Sequence, residues 1–178
     1  NIRQAQGYVD SRGLFAARKA VMHYYQNQGV KNIMIEDIYI GNGVSELISL
    51  VLTALLNTDD EVLIPSPDYP LWTTVVGLAG GKAVHYKCDE DADWNPSIED
   101  IESKITSKTK ALVIINPNNP NGGYISFEEL NVIIEQLTDL ENVIIDESFI
   151  HFAYENVELS QITSEELINK YKNLIIIK

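Results

Sequence analysis

Residues 111–122 read ALVIINPNNPNG, an apolar run that ends in a segment rich in asparagine and proline. An apolar run without alternation is typical of a strand buried on both faces, as in a parallel sheet. Proline and asparagine favour turns, so the predicted strand ends at Ile115. Two further runs, at residues 143–146 and 174–177, have the same character. Together the three runs predict a mostly parallel sheet that is covered on both sides.

The rest of the chain alternates between helix-like and strand-like segments. Apolar residues at helical spacing predict helices over residues 11–28, 43–56, 69–78, 98–105, 126–137 and 164–172, the last capped by Ser164. Shorter segments at residues 37–40, 61–64 and 83–87 have strand character. This alternation predicts an α/β fold with three layers, α/β/α, around a mostly parallel sheet. The length of 178 residues is enough for one domain.

The composition indicates an acidic protein that does not bind polyanions. Lys and Arg number 13 against 26 Asp and Glu, and the formal net charge is −13. This charge argues against nucleic acid or an anionic membrane as a general partner. The single cysteine, Cys88, cannot form an intramolecular disulfide and fits a reducing compartment, so we expect a cytoplasmic protein.

The sequence predicts no metal site. Residues 89–93 place Asp at alternating positions, as a calcium loop does, but Trp94 and Asp100 stand where that loop needs Gly and Glu. A solvated acidic loop is the better interpretation. The histidines show no metal-ligand spacing with one another or with the cysteine: His23, His85 and His151.

Candidate ligand-binding residues follow the predicted strands. In open α/β sheets, ligands bind outside the carboxyl ends of the strands. The features found there are a glycine-containing helix start, an aromatic ring, an amide and a carboxylate. The residues that carry them are Gly43, Val44, Ser45, Tyr69, Asn119 and Asp146.

These features together suit a flat ring that carries a phosphate. The free N–H groups at the start of the helix after Gly43 favour a phosphate dianion. Tyr69 can stack on a flat ring, and Asn119 can donate to a phenolate oxygen. Asp146 can pair with a protonated ring nitrogen, which makes the ring an electron sink for carbanion chemistry on amino acids.

Each feature alone also has an ordinary structural explanation. The segment after Gly43 has neither the Gly-Lys-Ser/Thr of a Walker loop nor the third glycine of a dinucleotide-binding fingerprint. Tyr69 alone fits a core or surface ring, Asn119 alone fits a turn between prolines, and Asp146 alone fits a helix cap. Their order along the chain, each at a strand end, favours a cofactor site.

Four longer stretches resemble a known enzyme family: residues 7–14 (GYVDSRGL), 36–47 (EDIYIGNGVSEL), 67–72 (PDYPLW) and 115–120 (INPNNP). The chain resembles the fold-type I, class I/II aminotransferases, which depend on pyridoxal 5′-phosphate, across nearly its full length. Its N-terminal two thirds look closest to bacterial alanine aminotransferases of the glutamate–pyruvate type. The resemblance implies transamination between an amino acid and a 2-oxo acid, with substrates of the alanine and glutamate type favoured.

The resemblance also implies a role for each candidate residue. Residues 43–45 would hold the cofactor phosphate, Tyr69 would stack on the pyridine ring, and Asp146 would pair with the pyridine nitrogen. Asn119 would bond the phenolic oxygen of the ring and lie near the substrate. Tyr8 would reach the phosphate bound by a neighbouring subunit, which implies a homodimer with shared active sites.

Some positions depart from the family pattern. Asn121 stands where the family usually has Thr, and we expect this to be tolerated because the loop shape depends on Pro120 and Gly122. Phe149 stands where the family usually has a tyrosine that bonds the phenolic oxygen, and it has no donor. Residues 143–178 look more like histidinol-phosphate aminotransferases and threonine-phosphate decarboxylases. A pyridoxal-phosphate-dependent lyase or decarboxylase on the same fold is therefore the alternative.

The extent of the chain bears on its chemistry. In the family, a strand like residues 173–178 leads into Ser-x-x-Lys, so the lysine that forms the Schiff base is expected just after Lys178. Lys178 itself is not expected to be catalytic, and the chain then holds no catalytic residue. We interpret residues 1–178, which begin at Asn1, as part of the large cofactor-binding domain, without the N-terminal arm, the C-terminal half of that domain and the small domain. A third possibility is a non-catalytic fragment that at most binds pyridoxal phosphate.

Overall fold

The computed structural model describes residues 7–153 and 164–178 and contains a six-stranded sheet. Its strands are β1 (Glu61–Ser66), β2 (Lys82–Asp89), β3 (Asn95–Pro96), β4 (Thr109–Ile115), β5 (Val143–Asp146) and β6 (Leu174–Ile177). The order across the sheet is β3-β2-β1-β4-β5-β6, and only the β2–β3 pair is antiparallel. The three apolar runs therefore form neighbouring parallel strands, as predicted.

Helices cover both faces of this sheet. They are α1 (Phe15–Asn27), α2 (Val44–Leu55), α3 (Pro70–Leu78), α4 (Ile98–Lys104) and α5 (Phe127–Gln136). Helices α2 and α3 pack on one face, and α4 and α5 pack on the other. Helix α1 packs in a smaller cluster with residues 30–38. The predicted three-layer α/β/α architecture is confirmed.

Strand β4 shows why its sequence does not alternate. Ala111, Val113 and Ile115 pack in the cluster under α2 and α3. Leu112 and Ile114 point the other way, into the cluster under α4 and α5. Each large aliphatic side chain buried in this way contributes about 1.5–3 kcal/mol relative to full exposure, so both faces select apolar residues.

Local capping explains where several helices start. Ser126 and Glu129 form a capping box at α5, because each side chain accepts a hydrogen bond from the backbone N–H of the other. The Ser97 hydroxyl accepts from the backbone N–H of Asp100 at 3.3 Å and starts α4. Pro70 occupies the first position of α3, where no N–H is needed.

The predicted strand at residues 37–40 is wrong. Ile35–Asp37 form a short 3-10 helix, and the residues after it are extended but pair with no described strand. The N–H of Ile40 donates instead to the carbonyl of Arg12 at 2.9 Å. A short β-branched segment without a neighbouring strand edge cannot form a ladder, so its local preference is not realised.

The predicted helix at residues 164–172 is shorter and of another type. Glu165–Asn169 form a 3-10 helix, and the Ser164 side chain does not cap it. The backbone N–H of Ser164 donates to the Glu147 carboxylate at 2.7 Å, so a tertiary contact holds this segment in place of a local cap.

The segment after β2 contains the acidic residues and a strand that was not predicted. Glu90–Ala92 form an exposed 3-10 turn, in agreement with a solvated acidic loop. Strand β3 has two residues, too few to produce a sequence pattern. In residues 7–153 and 164–178, no group of His, Cys, Asp and Glu side chains is arranged to hold a metal ion. Within the same ranges, no helix has the length and apolar character needed to cross a membrane.

Candidate active site

The carboxyl ends of the central strands meet at one edge of the sheet. The register places Asp146 beside Ile115 on one side and beside Ile177 on the other. The chain passes from β1 to β2 and then returns to β4 on the opposite side of β1. Segments that leave β1 and β4 therefore diverge and open a crevice, where open α/β sheets bind ligands. Tyr69 and Asn119 lie on these two segments.

Asp146 is the buried carboxylate at this edge. Its side chain ends β5, and the residue is 3% exposed. Its Oδ2 accepts a hydrogen bond from Nε1 of Trp72 at 3.0 Å. Its Oδ1 accepts from the backbone N–H of Ser148 at 3.0 Å and from the Ser148 hydroxyl. All three partners are donors, which matches a carboxylate that only accepts.

Three asparagines hold the shape of the loop after β4. The buried Asn116 amide donates to the carbonyl of Ile125 and accepts from its N–H, both at 2.9 Å. Asn118 joins the loop to the segment after β1, because its Nδ2 donates to the carbonyl of Pro67 at 3.3 Å. At Asn121, the side-chain oxygen accepts from the N–H of Gly123 at 2.8 Å and closes the turn.

Asn119 lies between these anchors and faces a cleft. It is half-buried, and within the described residues its side-chain amide makes no hydrogen bond. The cleft measures about 530 Å³ and lies between the loop after β4 and residues 149–153. Phe149 and Phe152 line it, with ring centroids 6.1 Å apart. Phe149 thus brings an apolar edge to this cleft and Asn119 an amide.

The start of α2 offers backbone donors. Five residues separate the end of α2 from β1, so the helix runs back along the sheet and begins at the carboxyl edge. Gly43 precedes the helix with φ of +89°, and the space around its Cα would admit a Cβ. The first N–H groups, from Val44 onward, have no partner within a helix of this geometry. The hydroxyl of Ser45 is exposed beside them.

Glu46 introduces a negative charge into the same helix turn. Its carboxylate folds back and accepts a hydrogen bond from the backbone N–H of Asn42. This bond ties the loop before α2 to the helix. The N–H groups of Val44 and Ser45 remain the donors at the helix start.

Tyr69 lies at the turn that follows β1. It is the residue before α3 and is 37% exposed. A chain of side-chain contacts braces this turn: Thr73 donates to the Asp68 carboxylate at 2.6 Å and lies 2.9 Å from Nε2 of His85. His85 therefore takes part in a structural contact. The bracing leaves the Tyr69 ring available to a ligand.

The structure does not bring Tyr8 into this group. Tyr8 lies in the segment before α1, and its side chain is fully exposed. Nearby, the backbone N–H of Arg12 and its guanidinium both bond the carboxylate of Asp10. These hydrogen bonds from Arg12 lower the pKa of Asp10 to about 2.

Lys178 belongs to a buried ionic cluster on the other side of Asp146. Its Nζ lies 2.9 Å from the fully buried Glu147 carboxylate and also contacts Glu165. Burial disfavours the Lys178 ammonium, but the two carboxylates outweigh it and raise the pKa of Lys178. The ring of Tyr25 lies 5.5 Å from the same ammonium. The ammonium is thus already engaged by these carboxylates.

The sequence alone does not reveal the residues that surround Asp146. Trp72 lies in the PDYPLW stretch and is expected there as a packing residue, and no motif marks Glu147 or Glu165. Asp146 itself carried a usable signal, because an aspartate side chain often accepts a hydrogen bond from the backbone N–H two residues further on, here that of Ser148. The contact with Trp72 had no local signal, since 74 positions separate the two residues.

The residues at this edge fit pyridoxal phosphate. A carboxylate has about four acceptor positions, and the three donors to Asp146 leave room for a protonated ring nitrogen. Among the described residues Asp146 has no cationic partner, and a buried carboxylate favours one. The open start of α2 at Gly43 suits the phosphate, and the exposed ring of Tyr69 suits the flat face.

Comparison with known proteins identifies the family. The sequence model described as "Aminotransferase class I and II" matches residues 1–178, and the chain belongs to this family. The glutamate-pyruvate aminotransferase AlaA of Haemophilus influenzae is 61% identical over 135 residues, which cover 76% of this chain and 33% of that protein. The crystal structure of an aminotransferase from Escherichia coli matches with a TM-score of 0.80 at 52% identity, covering 89% of this chain and 39% of that one. These matches confirm the predicted family and fold.

A further relative bears on the alternative chemistry. L-serine phosphate decarboxylase of Sulfurospirillum multivorans is 33% identical over 172 residues, which cover 92% of this chain and 43% of that protein. The chain thus spans less than half the length of each of these relatives.

Proposed function

We propose that the protein transfers an amino group between an amino acid and a 2-oxo acid by means of pyridoxal phosphate. Substrates of the alanine and glutamate type are favoured, because the 61% identical relative is a glutamate-pyruvate aminotransferase. The observation that carries the proposal is the position of Asp146. It is a buried carboxylate at the edge of the sheet where the α2 start, Tyr69 and Asn119 also lie.

The chain's residues would bind and orient the cofactor. The N–H groups of Val44 and Ser45, after Gly43, would bind the phosphate as hydrogen-bond donors, supported by the helix dipole. Tyr69 would pack on the ring. When bound, pyridoxal phosphate supplies an electron-withdrawing ring that stabilises negative charge at the substrate's α-carbon.

Asp146 would hold a proton at the ring nitrogen. Two unit charges about 4 Å apart attract by about 4 kcal/mol at an effective dielectric constant near 20, before desolvation is subtracted. Asp146 is already desolvated and oriented by its donors, so little reorganisation accompanies binding. Asn119 would donate to the phenolic oxygen and contact the substrate. Phe149 makes no such bond, because it lacks a hydroxyl group.

The remaining parts of the proposal concern the whole protein. We place the residues 1–178 in the large cofactor-binding domain and expect the lysine that carries the cofactor to follow Lys178. Tyr8 would cross to the phosphate bound by a second subunit. Its full exposure, with exposed Val9, Leu14 and Phe15 nearby, supports a surface covered in a homodimer.

Transamination is favoured over decarboxylation by the similarity of the relatives. Identity to the aminotransferases is 61% and 52%, against 33% to the decarboxylase. Phe149 and the segment around it are the features that motivated the alternative. They do not alter the phosphate, ring and nitrogen contacts, which both chemistries share.

The test uses the full-length protein with pyridoxal phosphate, L-alanine and 2-oxoglutarate. We expect pyruvate and glutamate in equal amounts. Asp146→Asn should lower kcat roughly 100-fold, because it removes the charge that holds the ring proton. Asp100→Asn is the matched control, since Asp100 pairs with Lys104 at the surface, and its kcat should stay within about two-fold of wild type.

Two results would overturn the proposal. Release of carbon dioxide from carboxyl-labelled amino acids without a 2-oxo acid would show a decarboxylase. A protein that binds no pyridoxal phosphate at millimolar concentration would show that the edge does not form a cofactor site.

A further inference from the structure

The side chain of Trp72 makes one polar contact with the site, and that contact is buried. The side chain is 0% exposed in the core between α3 and the sheet. Its indole N–H donates to Oδ2 of Asp146 at 3.0 Å. Oδ1 is bonded by Ser148, two residues along the chain, so Trp72 is the partner that reaches Asp146 from another element.

Trp72 is also linked to the turn that carries Tyr69. It is the third residue of α3, and its backbone N–H donates to the carbonyl of Tyr69 at 3.0 Å. Trp72 thus bonds the Tyr69 turn through its backbone and the Asp146 carboxylate through its indole.

We propose that Trp72 is a positioning residue that keeps the negative charge on Asp146 and fixes that carboxylate relative to Tyr69. This inference rests on the proposed function. An indole N–H bonded to a buried carboxylate stabilises the ionised form, because hydrogen bonds to charged groups are the stronger ones. Trp72 therefore favours a proton at the ring nitrogen of the cofactor over a proton at Oδ2 of Asp146.

Loss of the Trp72 indole N–H should weaken the interaction of Asp146 with the cofactor. Without the indole N–H, the buried Oδ2 of Asp146 would lose its only hydrogen-bond donor among the described residues. The carboxylate would then hold a proton at the ring nitrogen of a bound cofactor less well. The chemical step would slow, while substrate binding would change little.

The experiment uses the full-length holoenzyme and Trp72→Phe, which keeps an aromatic ring and removes the donor. Val76→Ala is the matched packing control, because Val76 is fully buried one turn later in α3. With cofactor labelled by nitrogen-15 in its ring, Trp72→Phe should move the nitrogen resonance toward the unprotonated value, and Val76→Ala should not. We expect kcat to fall roughly ten-fold in Trp72→Phe, with KM within about two-fold of wild type.

A second substitution separates the donor from the shape of the ring. Replacement of Trp72 by 3-benzothienylalanine keeps the bicyclic shape and puts sulfur in place of N–H. It should reproduce the nitrogen shift even if Trp72→Phe does not fold. An unchanged ring-nitrogen resonance in the benzothienyl protein would overturn the inference and leave Trp72 as a packing residue.

The contact can also be tested without the cofactor. In the apoprotein, the indole proton signal that is absent from Trp72→Phe should lie downfield and move upfield in Asp146→Ala. No movement would overturn the inference. If the indole signal moves as expected in Asp146→Ala but the wild-type protein does not transaminate, the contact is present and the proposed function is wrong.

Discussion

The carboxylate of Glu147 lies 2.9 Å from the ammonium of Lys178, at the ends of two neighbouring strands and directly beside Asp146. Glu165, the first residue of the 3-10 helix Glu165–Asn169, contacts the same ammonium. Glu147 also accepts the N–H of Ser164. The cluster therefore joins β5, β6 and the 3-10 helix close to the cofactor edge.

Removing the cation should destabilise the protein strongly. Lys178→Met would leave two buried carboxylates without a counter-charge, and loss of one member of a buried ion pair is expected to cost about 3–5 kcal/mol. Lys178→Arg keeps the charge and should lose much less. Urea unfolding of the full-length proteins measures the free energy of unfolding of both variants. If Lys178→Met were as stable as wild type, the cluster would not support the fold.

The stability contributed by Glu147 should depend on pH. Burial raises the pKa of the Glu147 carboxyl above its ordinary value. A carboxyl with a higher pKa in the folded state binds its proton more tightly there. Its contribution to stability is therefore full below the ordinary pKa and is lost as the pH rises through the folded-state pKa.

Glu147→Gln isolates this effect, because glutamine has the same shape and does not titrate. The unfolding free energy of Glu147→Gln relative to wild type should increase as the pH rises above the ordinary pKa of a glutamate, about 4.3. Lys178 retains Glu165 in this variant. A difference that stays constant with pH, or that falls, would contradict the prediction.

Gly43 and Gly77 allow backbone strain to be separated from steric contact. A Cβ added at either position would meet nothing within 4 Å, but Gly43 has φ of +89° and Gly77 lies inside α3. Gly43→Ala should therefore destabilise by about 1–2 kcal/mol, and Gly77→Ala should stabilise by about 0.5–1 kcal/mol. Thermal unfolding provides the comparison, and stabilisation by both changes would show that the turn before α2 tolerates an ordinary residue.

Cys88 should be unreactive in the folded protein. The thiol is 6% exposed, and burial raises its pKa to about 11. Only the thiolate attacks a disulfide reagent, so a chromogenic disulfide should react very slowly at about pH 8. The same thiol should react at once in urea, and Cys88→Ser identifies its signal. Rapid labelling of the native protein would mean that the strand carrying Cys88 opens readily.

Much of the sheet could be predicted, because a strand that is buried on both faces consists almost entirely of apolar residues. The run that forms β4 and the capping box at Ser126 are examples in which the local sequence suffices. Residues 37–40 show the limit of such patterns. Their β preference is genuine, but no strand edge lies beside them, and only the path of the chain determines that.

Part of the candidate site could be predicted from the sequence, and part could not. The residue types at the strand ends were predicted, and the structure brings Tyr69, Asn119 and Asp146 to one edge of the sheet. The long-range contacts around them were not predictable, since the Trp72–Asp146 hydrogen bond and the Glu147–Lys178 pair join residues far apart in sequence. Such pairs depend on how the layers pack.

The sequence by itself determined the fold class and the chemical groups at the strand ends, because these follow from apolar patterning and from turn residues that act locally. It indicated the family through the resemblance of four stretches to known aminotransferases. The tertiary structure alone decided which donors surround Asp146. Trp72 reaches it only because α3 lies across the sheet beside the end of β5, and buried hydrogen bonds of this kind form wherever packing brings donor and acceptor together.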